Sequence, residues 1–264
     1  MNFKEKRVWI TGASSGIGEA LAFAFAAQGA HLILSGRNEV QLQRVGTQCS
    51  GAASVIILPL DLADITSLQQ AAKRVLQQFG KVDILLLNAG ISQRSAARDT
   101  SLEVVQKIMN VNYIGNVALT QAVLPSMITH QLGHIVVVSS AVGKFGSPLR
   151  SAYAASKHAL HGFFDSLRAE IHDDNLRVTI VCPGFVRTNI SLNALTADGK
   201  PQGSMDEATD KGLKPATVAN KILAAIQNGR EEIYIGNPRI IFGIYMKRFF
   251  PRIFSKQIRK AKVT

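Results

Sequence analysis

With 264 residues the chain is long enough for one large domain, and 47% hydrophobic against 18% charged residues excludes a disordered polymer. The formal net charge is +12, but residues 237–264 hold eight Lys or Arg and no Asp or Glu; the remainder is only mildly basic, which argues against a nucleic-acid-binding protein. No apolar run approaches the roughly 18 residues of a membrane span, the opening "MNFKEKRVWITG" lacks a secretory pattern, and Cys49 and Cys182 stand at no metal or redox spacing, which fits a reducing, cytoplasmic setting.

The expected elements alternate along the chain. Apolar, β-branched runs "VWIT" (8–11), "HLILS" (31–35), "VIILPL" (55–60), "VDILLLN" (82–88), "HIVVVSS" (134–140), "RVTIVC" (177–182) and "EIYIG" (232–236) read as strands. Helical patterns fill the intervals near 16–28, 39–48, 65–79, 102–129, 151–173 and 216–228. Continuous apolar strands, rather than strict alternation, are buried on both faces, as in a parallel sheet covered by helices. The expectation is an α/β, Rossmann-like, doubly wound sheet of seven parallel strands in one domain over 1–236, with a tail over 237–264. Ligands of such sheets collect at the carboxyl ends of the strands, so residues just after strands carry the chemistry.

After the first strand comes "TGASSGIG" (11–18), whose Gly12, Gly16 and Gly18 lead into an apolar helix. Glycines at such a turn let the backbone approach a pyrophosphate, and the helix N-terminus favours its charge. In "SAYAASKHALHGFFDSLRAE" (151–170), Tyr153 and Lys157 are one helical turn apart on a shared face. A phenol beside an ammonium is a candidate proton donor. Together with "LNAG" (87–90), "NVNYIG" (110–115), "VVSS" (137–140) and "PGFVRT" (183–188), these motifs resemble the short-chain dehydrogenase/reductase family, in its order and spacing from residue 6 to about 235. Leu87 departs from it, standing where the family more often has asparagine. Within the family, "SPLRSAYAASKHALHGFFDSLRAE" and "NALTADGK" are similar to the member 7B branch of the dehydrogenase/reductases, near the 11-beta-hydroxysteroid dehydrogenases. Eukaryotic members of that branch usually begin with a membrane anchor, which this sequence does not show; a bacterial or otherwise soluble homologue is the simpler expectation.

The resemblance implies a role for each matching residue. Tyr153 would be the general acid in carbonyl reduction and the general base in the reverse oxidation; Lys157 would assist it electrostatically and hold the nicotinamide ribose. Ser140 would donate a hydrogen bond to the substrate oxygen, while its neighbour Ser139 is structural. Asn112 would hold a water linking Lys157 to solvent, or else serve as a polar kink in a long helix. Gly12, Ser14, Ser15, Gly16, Ile17 and Gly18 would form the phosphate turn. Asp61 and Leu62 would flank the adenine, with Asn88, Ala89 and Gly90 supporting the adenosine ribose side. Pro183 and Gly184 would line the nicotinamide pocket, and Val186 and Thr188 would reach the carboxamide and phosphates. At the end of the second strand an NAD enzyme would place an acidic residue; this chain has Ser35, Gly36 and Arg37. A guanidinium matches a phosphate dianion, so NADP(H) is favoured.

Residues 189–214 are rich in turn formers and are expected to be a substrate lid, with Phe145, Leu149, Phe185 and Leu192 as an apolar wall. The six histidines form no metal pattern in the sequence. In the tail, apolar residues at 242, 245, 246, 249, 250 and 253 follow helical spacing among cations, with Pro251 splitting any helix. Such a segment either lies at a membrane periphery or packs on the body or a second subunit. The resemblance also implies a homodimer or homotetramer assembled through the long helices. The expected activity is NADP(H)-dependent interconversion of a carbonyl and a secondary alcohol on a small to medium lipophilic molecule. The alternatives are a 3-oxoacyl thioester reductase and a non-catalytic NADP-binding sensor or scaffold.

Overall fold

The computed structural model describes residues 2–261; Met1 and residues 262–264, the end of the basic tail, lie outside it. Strands β1 (Arg7–Thr11), β2 (His31–Gly36), β3 (Ser54–Pro59), β4 (Ile84–Leu87), β5 (Gly133–Val138), β6 (Leu176–Pro183) and β7 (Glu232–Ile235) form one sheet in the order β3-β2-β1-β4-β5-β6-β7. Every pairing is parallel. The helices are α1 (Gly16–Ala26), α2 (Glu39–Gln48), α3 (Ile65–Phe79), α4 (Leu102–Met109), α5 (Gly115–His130), α6 (Ser151–Glu170), α7 (Glu207–Asp210), α8 (Pro215–Gln227), α9 (Pro238–Phe249) and α10 (Pro251–Ile258).

The strands are predominantly apolar because both faces of the sheet are covered. Val8, Ile10, Leu32, Leu34, Ile84, Leu86, Val136 and Val181 point into one core with α1, α2 and α8. Their neighbours Trp9, Ile33, Leu85, Leu87, Ile135, Val137 and Ile180 point into the other, against α3, α5 and α6. A strand alternates its side chains between faces, so two buried faces demand an unbroken apolar run. Leu87, the departure noted in the sequence, belongs to the second core and is 1% exposed, which accounts for an apolar residue there.

Element limits differ from the expected pattern where side chains intervene. The pattern read as one helix over 102–129 breaks into α4, a π-turn at Asn110–Ile114, and α5. Two contacts explain the bulge: Asn112 is held by the backbone of Ile91, and Gly115 lies so close to Leu62 that a Cβ there would stand 2.2 Å from the Leu62 carbonyl oxygen. The strand read through 140 stops at Val138, because the Ser140 hydroxyl accepts a hydrogen bond from the Val142 N–H and caps a short 3-10 turn, Ala141–Gly143. The helix read to 173 ends at Glu170 and is followed by a 3-10 turn, His172–Asp174, closed by Asn175 at φ 57°.

Parallel register gathers the strand ends, and so the loops after them, along one edge. Thr11 pairs with Ser35, Leu87 with Val137, Val138 with Val181 and Pro183 with Ile235. Beyond β7 the tail folds back as two short helices, α9 and α10, with Pro251 in the first turn of the second. Ile244 and Phe254 are its buried residues.

Candidate active site

The turn between β1 and α1 is shaped by its glycines. Gly12 and Gly16 sit at φ 67° and 62°, in the left-handed region, and a Cβ on Gly18 would stand 2.1 Å from the Gly12 carbonyl oxygen. Thr11, at the end of β1, and Asn88, just after β4, brace this turn. The Asn88 side-chain amide donates to the Thr11 and Gly12 carbonyl oxygens, at 3.0 and 3.3 Å, and the Thr11 hydroxyl accepts from the Asn88 and Ala89 N–H groups. Thr188 closes on the turn from the far side, its Cγ2 2.9 Å from where a Gly16 Cβ would be. Ser15 begins α1 without a side-chain cap, so the first N–H groups of the helix keep their donor capacity toward an anion. Ser14 reaches the end of β2, where its hydroxyl would lie 3.5 Å from a Cβ on Gly36; the exposed Arg37 follows directly. Ile17 packs against the first core. This cradle fits a dinucleotide pyrophosphate.

Farther along the same edge lie Asp61 and Leu62. Asp61 is exposed and accepts a hydrogen bond from the Ala63 N–H. Leu62 is 5% exposed and packed in the second core beside Gly115, which leaves its side chain little surface to offer an adenine ring.

Tyr153 and Lys157 occupy the first two turns of α6, both buried. The Lys157 Nζ donates to the Val138 carbonyl oxygen at 2.8 Å and stands 5.8 Å from the centre of the Tyr153 ring. Gly90 leaves room above it: a Cβ there would be 3.5 Å from Nζ and 3.1 Å from the Asn112 Oδ1. Burial pushes the Lys157 ammonium down to about 8. Burial also pushes the Tyr153 phenol up, and the Ser140 hydroxyl and the guanidiniums of Arg150 and Arg94 pull it back. Ser140 also donates to the Pro183 carbonyl oxygen at 3.4 Å, joining the ends of β5 and β6. Ser139 is structural, donating to the Lys157 carbonyl oxygen and contacting the His161 Nε2 at 3.0 Å.

The Asn112 carboxamide is spent on structure: its Oδ1 accepts from the Ile91 N–H, and its Nδ2 donates to the Ile91 carbonyl and the Ser156 hydroxyl. After β6, the Gly184 N–H donates to the Ile235 carbonyl, and Val186 is buried in a bridge with Leu213. Phe145, Leu149, Phe185 and Leu192 are all half-buried near this end. Leu149 takes φ 61° as the chain bends into α6.

Several site residues were not suggested by the sequence. Gln93 is fully buried and acts at a distance as the missing cap of α6: its Oε1 accepts from the Ala152 N–H at 2.8 Å and the Tyr153 N–H at 3.4 Å. Arg94 and Asp206 form a buried ion pair, with the Arg94 Nε 2.9 Å from the Asp206 Oδ2, and Arg150 approaches the same oxygen at 3.6 Å. Burial alone would raise the Asp206 carboxyl, but hydrogen bonds from Arg94 and Gln202 and the charges of both arginines hold it below the usual carboxylate range. This cluster fastens the 189–214 segment, as do backbone bonds from the Arg94 N–H to the Leu195 carbonyl and from the Leu195 N–H to the Ser92 carbonyl. No local motif announces these residues, because Arg94 and Asp206 are 112 positions apart.

One histidine does enter a group with metal-ligand chemistry. Ligand atoms of His161, Cys182 and Glu232 lie within 4.8 Å of one another, a set invisible in sequence spacing. The Lys144 Nζ, 2.6 Å from the Glu232 Oε1, already supplies that carboxylate with a cation.

A parallel sheet whose first turn is a glycine cradle, with Ser140, Tyr153 and Lys157 at the same edge, defines the class of α/β proteins that bind dinucleotides at the strand ends. Residues 6–198 match the family model described as short chain dehydrogenase, and the chain belongs to that family of oxidoreductases, the short-chain dehydrogenases/reductases. Among curated relatives, the chain is 44% identical over 256 residues to dehydrogenase/reductase SDR family member 7B of Bos taurus, covering 94% of this chain and 79% of the relative. It is 43% identical over 254 residues to a Drosophila melanogaster dehydrogenase/reductase SDR family protein 7-like, covering 94% and 78%. Among solved structures, a short chain dehydrogenase/reductase from Burkholderia phymatum in complex with NAD superposes with a TM-score of 0.85 at 25% identity, covering 100% of this chain and 99% of that one. An alcohol dehydrogenase from Thermococcus sibiricus complexed with 5-hydroxy-NADP gives 0.76 at 27% identity, covering 89% and 97%.

Proposed function

We propose that the protein is an NADP(H)-dependent oxidoreductase that interconverts a carbonyl and a secondary alcohol on a small to medium lipophilic molecule. The observation that carries this reading is the convergence of Ser140, Tyr153 and Lys157 beside the glycine cradle. The bound dinucleotide would supply the hydride. Tyr153 gives its proton to the substrate oxygen in reduction and takes it back in oxidation. Ser140 donates a hydrogen bond to the same oxygen as negative charge develops there. Lys157 holds the ribose and keeps a positive charge beneath the phenol. A water relay at Asn112 would use the remaining acceptor capacity of its main-chain carbonyl, which already accepts from the Asn116 side-chain amide at 2.7 Å, since the carboxamide is engaged.

For the cofactor, Gly12, Ser14, Ser15, Gly16, Ile17 and Gly18 hold the pyrophosphate, Arg37 the 2′-phosphate, Asp61 with the Leu62 main chain the adenine, Asn88, Ala89 and Gly90 the ribose side, and Pro183, Gly184, Val186 and Thr188 the nicotinamide end. Solved relatives bound to NAD and to 5-hydroxy-NADP support a nicotinamide dinucleotide, and the lack of an acidic residue among Ser35, Gly36 and Arg37 favours the phosphorylated form. Two free, buried cysteines suit a reducing cytoplasm. Assembly into a dimer or tetramer through the long helices completes the reading; exposed Leu102 and Ile114, at α4 and at the π-turn, support it, and a solution mass measurement tests it.

The test is NADPH oxidation across ketones, quinones, aldehydes and 3-oxoacyl thioesters, with Tyr153→Phe in parallel. The expected result is turnover of one lipophilic carbonyl class that falls at least about 100-fold in the variant. NADPH binding with no turnover on the whole panel would point instead to a nucleotide sensor.

A further inference from the structure

The tail hairpin has two faces, and only one is used by the fold. On the inner face, Ile244 and Phe254 are buried, the Tyr245 ring meets Tyr234 at 6.0 Å, and Ile240 covers Gly184 so closely that a Cβ there would lie 2.7 Å from its Cδ1. On the outer side, Phe242, Phe249, Phe250 and Ile253 are 63%, 68%, 60% and 53% exposed. Four large apolar side chains on two adjoining short helices are more than the scattered exposure a soluble surface normally shows.

Charge says what covers them. Arg239, Lys247, Arg248, Arg252, Lys256, Arg259 and Lys260 are all exposed, and none pairs with a carboxylate among the described residues. The segment carries no Asp or Glu. A second copy of this hairpin would bring like charges together, whereas an anionic bilayer offers hydrocarbon to the rings and phosphate to the cations. Among the described residues no helix is long and apolar enough to cross a membrane, so insertion would be confined to the interface.

We propose that the α9–α10 hairpin docks the protein on an anionic phospholipid surface through Phe242, Phe249, Phe250, Ile253 and the surrounding cations. The opposite, inner face of the hairpin adjoins the candidate active site. Phe254 stacks on Phe145 at 5.1 Å, and Phe145 packs against the buried group of Val142, Tyr153 and Ala154. A docked molecule therefore holds its Tyr153 end against the bilayer, where lipophilic molecules are concentrated.

The experiment is vesicle co-sedimentation of the full chain, without substrate or cofactor, so its outcome is independent of the reductase reading. Phosphatidylcholine vesicles with and without phosphatidylglycerol are compared at low and high salt. The variants are Phe249→Ser/Phe250→Ser/Ile253→Ser and Lys247→Gln/Arg248→Gln, whose exposed positions leave the core intact, as a thermal melt verifies. Binding to the anionic vesicles is expected to exceed that to neutral ones by at least about tenfold, to fall with salt, and to drop roughly tenfold in either variant. Equal sedimentation with neutral vesicles, or none with anionic ones, overturns the proposal. So does a serine variant that changes a dimer into a monomer while vesicle binding stays unchanged, since the patch is then a contact between copies.

Discussion

Arg37 carries the choice of dinucleotide in the proposed reading, because it alone adds positive charge where an acidic residue would select a ribose hydroxyl. It is exposed just after β2, beside the glycine turn, which would make no such distinction. Arg37→Asp is expected to lower the NADPH-to-NADH ratio of kcat/KM by at least about tenfold; an unchanged ratio would remove Arg37 from the site. Asp206 offers a different kind of test. It is the carboxylate shared by Arg94 and Arg150, with its side chain 1% exposed. Asp206→Asn keeps the shape and removes the charge from a buried cluster, which should cost about 3 kcal/mol. For a chain of this length that is a fall in Tm of about 6–12 °C, and scanning calorimetry reads it directly. Since the arginines also favour the Tyr153 phenolate, the pH profile of turnover should move in the same variant.

At the scale of elements, the glycine turn and the start of α6 are both held by residues from other strands. Gly18 lies inside α1, where a methyl group would be tolerated by the helix itself, yet the Gly12 carbonyl and the Asn88 amide stand 2.1 and 2.6 Å from its Cβ position. Gly18→Ala should therefore leave the circular dichroism spectrum nearly unchanged while weakening dinucleotide binding by tenfold or more, about 1.4 kcal/mol, in a titration. Retained affinity would show that the turn can shift without loss. At α6, Arg150 provides no side-chain cap, and Gln93 caps the helix from the loop after β4. Tyr153 is thus positioned by tertiary contact as much as by its own helix.

For the whole molecule, acid stability follows from two buried histidines. Burial, with Arg177 second, lowers His134 to about 4; burial, with Lys144 second and Glu232 opposing, does the same for His161. Both carry an ordinary value near 6.5 when unfolded, so the unfolded chain binds protons between pH 6.5 and 4 that the folded chain refuses. Their contribution is fully present above pH 6.5 and is lost as pH falls toward 4, on the order of 3 kcal/mol for each. Urea unfolding at a series of pH values should show stability falling through this window, and His134→Gln should flatten the slope by one proton's worth. An unaltered slope would mean that His134 is charged in the folded state.

The amino-acid sequence by itself determined the sheet, its cover and the family. Unbroken apolar runs require two buried faces, and turn chemistry is local: glycines, a Tyr and a Lys one helical turn apart, and a Pro that splits the tail are read from neighbours along the chain. Only the tertiary structure decided which side chains meet across it. Gln93 with the first turn of α6, Arg94 with Asp206, the π-turn at Asn112 and Gly115, and Phe254 on Phe145 all join residues far apart in sequence. Periodicity reports the face a residue occupies, but not the partner that burial brings to it; that partner is set by parallel register, which gathers every strand end, and the loops beyond, along one edge.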